Sequence, residues 1–364
     1  MTVYRLEAFP AREGDCLLLS YGPSEDSLAH VLVDAGHTST GKALAVELLE
    51  RGIVELELLV VTHVDADHIE GMLDFLEAVS GRIAIADVWF NGWRHLQEGL
   101  EGMGPAQGER LTTLIAQLPW NAIAGGRAIR VEDDRAPRRL PPLPGGLSMT
   151  VLSPDRRKLE RMIPEWKKAC LKAGLIPGQG RSDDKPRHGL EALGMDLEAL
   201  AATRTKNDTA VANGTSIALL AEYGGRRVLL GADAHPDVLT RSLQAAGGGH
   251  PLPLDLFKVP HHGSQANVTR ELLASIDCRE FLISTDGTKF DHPDEVAVAR
   301  MIASRSDGVR LLFNYRQPRT KVWEPRIGTD ARHPFECVFP DAAGNSLVVD
   351  LLPDVRISSG RPRH

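Results

Sequence analysis

The stretch VVTHVDADHIEG, Val60 to Gly71, places two histidines and two aspartates within six positions, His63 to His68, directly behind the apolar run Leu58-Leu59-Val60-Val61. Ionisable side chains beside a buried strand are costly unless something compensates them. Leu56 to Thr62 is nearly continuous in apolar residues, which predicts a strand covered on both faces. Ile69, Met72, Leu73 and Leu76 recur at helical spacing, which predicts a helix from Ile69 to Val79. The polar cluster therefore lies at a strand–loop–helix junction, where layered α/β folds carry their ligand-binding groups.

Upstream, Val3 to Ala8, Cys16 to Tyr21 and Val31 to Asp34 read as strands, DAGH as a turn and Gly41 to Arg51 as a helix. Downstream, Ala84 to Phe90 reads as a strand, before the Gly-rich EGLEGMGPAQG and the Pro/Arg-rich RAPRRLPPLPGG. Leu147 to Leu152 returns as a strand, Asp155 to about Gly174 and Glu191 to Arg204 as helices, with the breaking stretch IPGQGRSDDKPRHG between them. Ser216 to Tyr223 and Arg227 to Leu230 form a hairpin around Gly224-Gly225. Strands at Leu254 to Val259, Glu280 to Ser284 and Val309 to Phe313 then alternate with helices, and Cys337 to Phe339 and Ser346 to Leu351 add edges. The expected organisation is one α/β domain over 1–364, with a partly helical, basic insertion at 91–207 and a flexible tail at 353–364.

No apolar run approaches the roughly 18–20 residues that span a bilayer, and the N-terminus lacks a basic segment followed by an apolar core. The reading therefore expects a cytoplasmic protein with no membrane association. Cys16, Cys170, Cys278 and Cys337 are widely spaced, which argues against both a disulfide framework and a cysteine zinc site. The net charge of −7 is uneven, because 17 Lys and Arg stand against 11 Asp and Glu between Gly125 and Asn207. This excess, with Arg127, Arg130, Arg135, Arg138, Arg139, Arg156, Arg157 and Lys158, is a candidate phosphate-contacting surface or a solvated helical face.

Four further polar clusters fall at strand ends: NGTS (Asn213 to Ser216), GADAH (Gly231 to His235), PHHGS (Pro260 to Ser264) and DHPD (Asp291 to Asp294). His63 and Asp65, two apart, point to the same side of extended backbone. Asp67 and His68 diverge toward a second ion, and Asp233 is placed to bridge the two. Imidazoles mixed with carboxylates suit zinc or manganese, with iron a third candidate. Two such ions about 3.5–4 Å apart hold a hydroxide between them and stabilise a leaving oxygen. Taken alone, Asp67 also reads as an N-cap for the following helix.

At this point the sequence resembles the metallo-β-lactamase superfamily. THVDADH is similar to its first metal motif in the variant with aspartate at the second histidine position, and VLVDAG, LLGADA, KVPHHGS and HP follow in family order. This variant is similar to the hydrolase domain of bacterial DNA-internalisation proteins. The resemblance covers Val3 to about Phe313 and is loose from Asn91 to Lys206. It implies a four-layer αβ/βα sandwich and a pair of divalent ions held by His63, Asp65, Asp67, His68 and Asp233. His261 is assigned as the C-terminal ligand and His262 and His292 to substrate contact or proton transfer, while the residues alone leave open which of the three is the ligand. Two departures stand out: Ala232 replaces the usual glycine before Asp233, and Asn213 stands near where a middle histidine ligand would fall. Asn213, Lys258 and Ser264 are assigned to substrate, Asp15 to buttressing the metal loop, and Asp34 and His37 to structure.

The resulting expectation is a dinuclear phosphodiesterase or nuclease acting through a metal-bound hydroxide, with Asp67 fixing the water and His262 or His292 assisting the leaving group. Its partners would be a phosphoester such as single-stranded DNA or a nucleotide, and a protein docking on 91–207. The alternatives are a small-molecule esterase or lactonase and a non-catalytic regulatory module that keeps the fold.

Overall fold

Burial alternates residue by residue along the strands. Leu58 and Val60 join Leu19, Val33, Leu219, Leu230, Leu256 and Leu282 in one cluster, whereas Leu59 and Val61 pack with Leu44, Leu48, Ile69 and Met72 in another. A period of two with both faces apolar requires a sheet covered on both sides. The computed structural model describes residues 1–364 except 97–105, 133–135, 173–195, 325–326, 328–331 and 353–364, and it supplies both covers.

One sheet runs in the order Leu347–Asp350, Val3–Ala8, Leu17–Ser24, Ser27–Val33, Leu58–Val60, Val88–Trp89. It is antiparallel as far as Ser27–Val33 and parallel beyond. The other runs Phe335–Val338, Val309–Phe313, Glu280–Ile283, Leu256–Lys258, Arg226–Leu230, Ala218–Tyr223, Ser148–Ser153, Arg138–Arg139. Its first five strands are parallel and its remaining pairings antiparallel. The sheets face each other across the shared cluster. Helices α1 (Thr38–Glu50) and α2 (Ala66–Val79) cover the outside of the first. Pro236–Ala246, Arg270–Ala274 and Glu295–Ala303 cover the second. This is the four-layer αβ/βα sandwich. Among the described residues no helix is long and apolar enough to cross a membrane.

The segment read as an insertion is built into these layers rather than appended to them. Arg138–Arg139 and Ser148–Ser153 extend the second sheet. Leu111, Ile115, Leu159, Met162 and Trp166 complete the cluster outside the first. The expected tail at 353–364 and the breaking stretch at 176–189 lie outside the described residues. The expected strand from Leu56 to Thr62 divides at Glu57: Glu55–Leu56 pairs with Ala84–Ile85, and Leu58–Val60 joins the main sheet. Helix α2 starts at Ala66, so Asp65 is its N-cap residue and Asp67 lies inside its first turn. Asp67 is therefore not the cap, and its carboxylate is free for other work.

Close backbone contact fixes where α2 begins. A Cβ on Gly71 would lie 1.9 Å from the carbonyl oxygen of Ala35, so only glycine fits there. The contact leaves Ala35 N–H donating to the carbonyl of His68 at 3.3 Å and Gly71 N–H to that of Gly36 at 2.8 Å. The turn after Ser27–Val33 is thus stitched to the first turn of α2.

His37, on that turn, ties three segments together. Its Nε2 lies 2.9 Å from Glu13 and its Nδ1 3.0 Å from Glu70. Burial opposes a charged ring, but Glu13 and Glu70 outweigh it and lift the His37 pKa to about 9. A pKa raised above its unfolded value, about 6.5, stabilises the fold fully below that value, and the contribution is lost as pH climbs through the folded one. The thermal midpoint should therefore fall as pH rises from about 7 to beyond about 9, and the His37→Gln variant should show a flatter profile. Equal slopes for the two proteins in a pH series of thermal melts would refute this role.

Candidate metal centre

The loops after five strands meet at one end of the sandwich. Each delivers ionisable groups: Asp34 after Ser27–Val33, His63 to His68 after Leu58–Val60, Asp233 after Arg226–Leu230, His261 and His262 after Leu256–Lys258, and His292 after Glu280–Ile283. Strand ends free the backbone for such irregular loops. Asp34, Ala232, His261 and His262 all adopt positive φ, at 55°, 46°, 48° and 54°. That conformation is costly for residues with a Cβ and persists where the surroundings enforce it. Ala232, in the usual glycine position, adopts it too, and Asp233 keeps its place.

Asp233 is buried, and its two carboxylate oxygens face different neighbours. Oδ1 lies 3.5 Å from His68 Nε2 and 3.5 Å from His262 Nε2. Asp67 Oδ2 lies 3.9 Å from the first of these nitrogens and 3.6 Å from the second. Oδ2 of Asp233 lies 3.8 Å from His63 Nε2 and 3.7 Å from His261 Nε2, and Asp65 Oδ2 is 3.6 Å from His63 Nε2. Two poles result: Asp67, His68, His262 and Oδ1 form the inner one, and His63, Asp65, His261 and Oδ2 the outer one.

These separations test the fit to a cation. Ligand atoms 2.0–2.2 Å from a tetrahedral ion stand roughly 3.3–3.6 Å apart, which is close to the spacing at both poles. Ligand atoms of His63, His68 and Asp233, and of Asp67, His68 and His262, lie within 4.8 Å of one another. His63 Nε2, His68 Nε2, His262 Nε2 and Asp233 Oδ1 are buried without a hydrogen-bond partner among the described residues. Buried polar atoms are rarely left so, and four that converge on one point fit divalent cations.

The opposite nitrogen of every ring is already committed. His68 Nδ1 donates to Asp34 Oδ2 at 2.7 Å. His63 Nδ1 donates to Thr62 Oγ1 at 3.1 Å, and that hydroxyl donates to Asp34 Oδ2 at 2.7 Å. His262 Nδ1 donates to the carbonyl of Ser284 at 2.9 Å, and His261 Nδ1 to Asn267 Oδ1 at 2.9 Å. Each bond fixes the tautomer and leaves the Nε2 lone pair directed at the carboxylates, the usual support of a metal-binding histidine. Asp34 thus serves one histidine at each pole, beyond the turn-forming role expected of it.

Charge follows the same plan. Burial would raise the Asp67 pKa, but His262 and His68 hold it well below the ordinary range. Burial disfavours a charged His261, yet Asp233 and Asp208 lift its pKa to about 9. A divalent ion at the outer pole would displace that proton, so affinity falls with acidity.

Three assignments are corrected. Lys258 does not face substrate: it is fully buried in an ion pair with Asp15, whose Oδ1 lies 3.6 Å from His262 Nδ1. A lysine on a central strand between two covered faces has no route to solvent. Asn213 is buried, and its amide nitrogen donates to Asp208 Oδ2 at 2.8 Å. Ser264 is buried in a turn, where its hydroxyl accepts from Ala266 N–H at 3.2 Å. His262 is held at Nδ1 by the Ser284 carbonyl and turns its Nε2 toward Asp67 and Asp233 in the inner pole. His292 lies outside the poles, with its ring 5.3 Å from that of His261 and its Nδ1 3.7 Å from Asp294. Burial and the facing His261 and His262 push its pKa down to about 3, so it is neutral.

Sequence reasoning missed Asp208 and Asn267. Asp208 Oδ2 lies 3.4 Å from His261 Nδ1, and Asn267 donates to Asp208 Oδ2 at 3.0 Å and to the carbonyls of Asp233 and Ala234. Neither belongs to a polar run at a strand end, so no local signal marks them.

A family model described as the metallo-beta-lactamase superfamily matches residues 25–287. No curated protein matches the chain. Among solved structures, a mutant of CmlA beta-hydroxylase aligns with 96% of this chain and 54% of that one, at 12% identity and a TM-score of 0.41. The chain thus spans about half the length of that protein.

Elemental analysis of protein dialysed against zinc or manganese should find two equivalents of metal. Asp233→Ala should retain less than one, and Asp34→Asn should bind about 10–100-fold more weakly. Undiminished metal in a folded Asp233→Ala protein would rule out the two-pole site.

Proposed function

Because the chain belongs to the metallo-beta-lactamase superfamily, we propose that it is a metal-dependent hydrolase of phosphodiesters that works with two divalent cations. One observation carries this reading: the buried Asp233 carboxylate divides its oxygens between two His/Asp poles. A regulatory module without metal would have no use for that arrangement, which is costly to bury. In the proposal His63, Asp65 and His261 hold one cation, Asp67, His68 and His262 the other, and Asp233 both. The mixed imidazole and carboxylate set suits zinc, manganese or iron. Bound there, the cations would supply Lewis acidity and acidify water near neutral pH.

The protein's own groups do the rest. Asp67, kept ionised by His262 and His68, accepts a hydrogen bond from the attacking water and fixes its direction. His292, neutral at physiological pH, donates a hydrogen bond to the leaving oxygen instead of a full proton. Asp34, Asp208, Asn267 and the Ser284 carbonyl keep the four rings aimed, so little reorganisation accompanies the reaction. Beside His292, the exposed Phe290 ring lies 6.3 Å away and Lys289 sits 4.8 Å from that ring's centroid. An aromatic face paired with a cation at the rim suits an anionic substrate that carries a ring.

The test is a comparison of bis(p-nitrophenyl) phosphate, single-stranded DNA and a lactone with added manganese or zinc. Phosphodiester cleavage is expected, and Asp67→Asn should lower its rate by about 100-fold or more. A protein that opens the lactone and leaves both phosphodiesters intact would overturn the assignment.

A further inference from the structure

An open groove of about 790 Å³ lies beside the segment that leads into Asp208, a neighbour of His261. One wall is the segment 202–207, the other is Thr269 to Glu271 with Ala274, and Arg300 lines the base. A smaller hollow of about 400 Å³ shares Ala202, Arg270, Ala274 and Arg300 with it. The first wall continues directly into Asp208, which stands 3.4 Å from His261 Nδ1. Arg300 also donates to the carbonyl of Gln265 at 2.8 Å, in the turn that follows the histidine pair. The groove therefore abuts the outer pole.

Its charge is one-sided. Arg204 and Arg270 are exposed and form no ion pair among the described residues, and Lys206 is exposed on the same wall. Arg300 is 5% exposed. Its guanidinium donates only to neutral acceptors: the carbonyls of Gln265, Val268 and Thr203 and the hydroxyl of Thr205. Its Nε–H has no partner among the described residues. Glu271 is the lining carboxylate of the larger groove, and Glu198 of the smaller hollow is already paired with Arg332 at 2.8 Å. Burial and Arg270 oppose the Arg300 charge while Glu271 and Asp294 favour it from a distance, and an anion lying in the groove would add a direct partner for a cation that is costly to bury. The lining of both hollows lacks aromatic residues, so recognition would rest on backbone charge and not on base stacking.

We propose that this groove is a phosphate track, in which Arg204, Arg270 and Arg300 hold the backbone of a single-stranded polynucleotide leading to the outer metal pole. The proposal rests on the phosphodiesterase reading and extends it from a reacting centre to a polymeric substrate. It places the phosphate-contacting surface away from the basic stretch that the sequence offered as one candidate. There Arg127 and Arg138 bind backbone carbonyls, and Lys158 binds His235 and Asp237.

The experiment uses the full chain and the Arg204→Glu/Arg270→Glu double variant. Arg300 is left intact because its four acceptors hold the loop together. Fluorescence anisotropy with an oligothymidylate of about 20 nucleotides reads binding, and initial rates with manganese read cleavage of that oligonucleotide and of bis(p-nitrophenyl) phosphate. The variant should bind the oligonucleotide at least about tenfold more weakly, with a salt slope smaller by about 1–2. Its rate on the small diester should stay within about twofold of the parent. Equal oligonucleotide affinity and slope in the two proteins would overturn the track, as would thymidine monophosphate competing as well as the oligonucleotide does for the parent. If the parent cleaves neither substrate, the phosphodiesterase reading fails, while the anisotropy arm still decides whether the groove binds a polynucleotide.

Discussion

The Asp233 carboxylate is almost wholly buried, yet four imidazoles face it at 3.5–3.8 Å. Removing such a charge from water costs several kcal/mol unless it is compensated at close range. Everything around it can be understood as that compensation. Two sheets must end together so that loops from both converge on one carboxylate. The hairpin-built half of the first sheet supplies Asp15 and Asp34, the parallel half supplies the His63–His68 loop, and the parallel half of the second supplies Asp233, His261 and His262. No single segment contains even one complete pole.

Precision at the site comes from the layer behind it. Asp34 takes Thr62 N–H at 2.8 Å as well as the bonds that orient His63 and His68, so one side chain couples the two poles. Gly14 belongs to the same layer, because a Cβ there would fall 1.8 Å from the carbonyl of Asp67. The connection between Val3–Ala8 and Leu17–Ser24 is thereby pressed against the first turn of α2, next to the Asp15–Lys258 pair beneath His262. A buried ion pair of this kind contributes little net stability. Its place here is explained by position: it fills the space under a histidine with groups that cannot move independently.

Much of this was legible in the sequence, and the failures have a common cause. The strand–loop–helix junction at Val60 to Gly71 and the recurrence of His and Asp at strand ends are local patterns that led to the cluster, and the layered sandwich followed from the family resemblance those motifs carry. The division of His261 and His262 between two poles was not legible, because it is set by a loop in which both residues take positive φ, and nothing in PHHGS announces that. Lys258 reads as a polar residue near a loop, but only the sheet order shows it trapped between two covered faces. Asp208 and Asn267 work through partners 53 and 6 residues or more away in sequence, as His261 is to each. The stretch 91–207 looked like an insertion because Pro and Gly interrupt it, although Ser148–Ser153 pairs with Ala218–Tyr223 and Arg138–Arg139 with Ser148–Ser153 as members of the sheet.

The distribution of charge then acquires a reason. A protein with a net charge of −7 repels a polyanion at long range, so any attraction must be local and close to the reacting centre. Cations gathered between carboxylates would invert the field at the poles, and Arg204, Arg270 and Arg300 invert it along one approach. Many positive side chains elsewhere are neutralised in pairs such as Arg5 with Glu25 and Arg226 with Asp255. On the proposed reading, an anionic chain would be held where it can also be aligned with the site. In that proposal the acidic net charge and the basic groove are complementary: the first would discourage non-specific binding, and the second would admit a phosphate backbone close to the reacting centre.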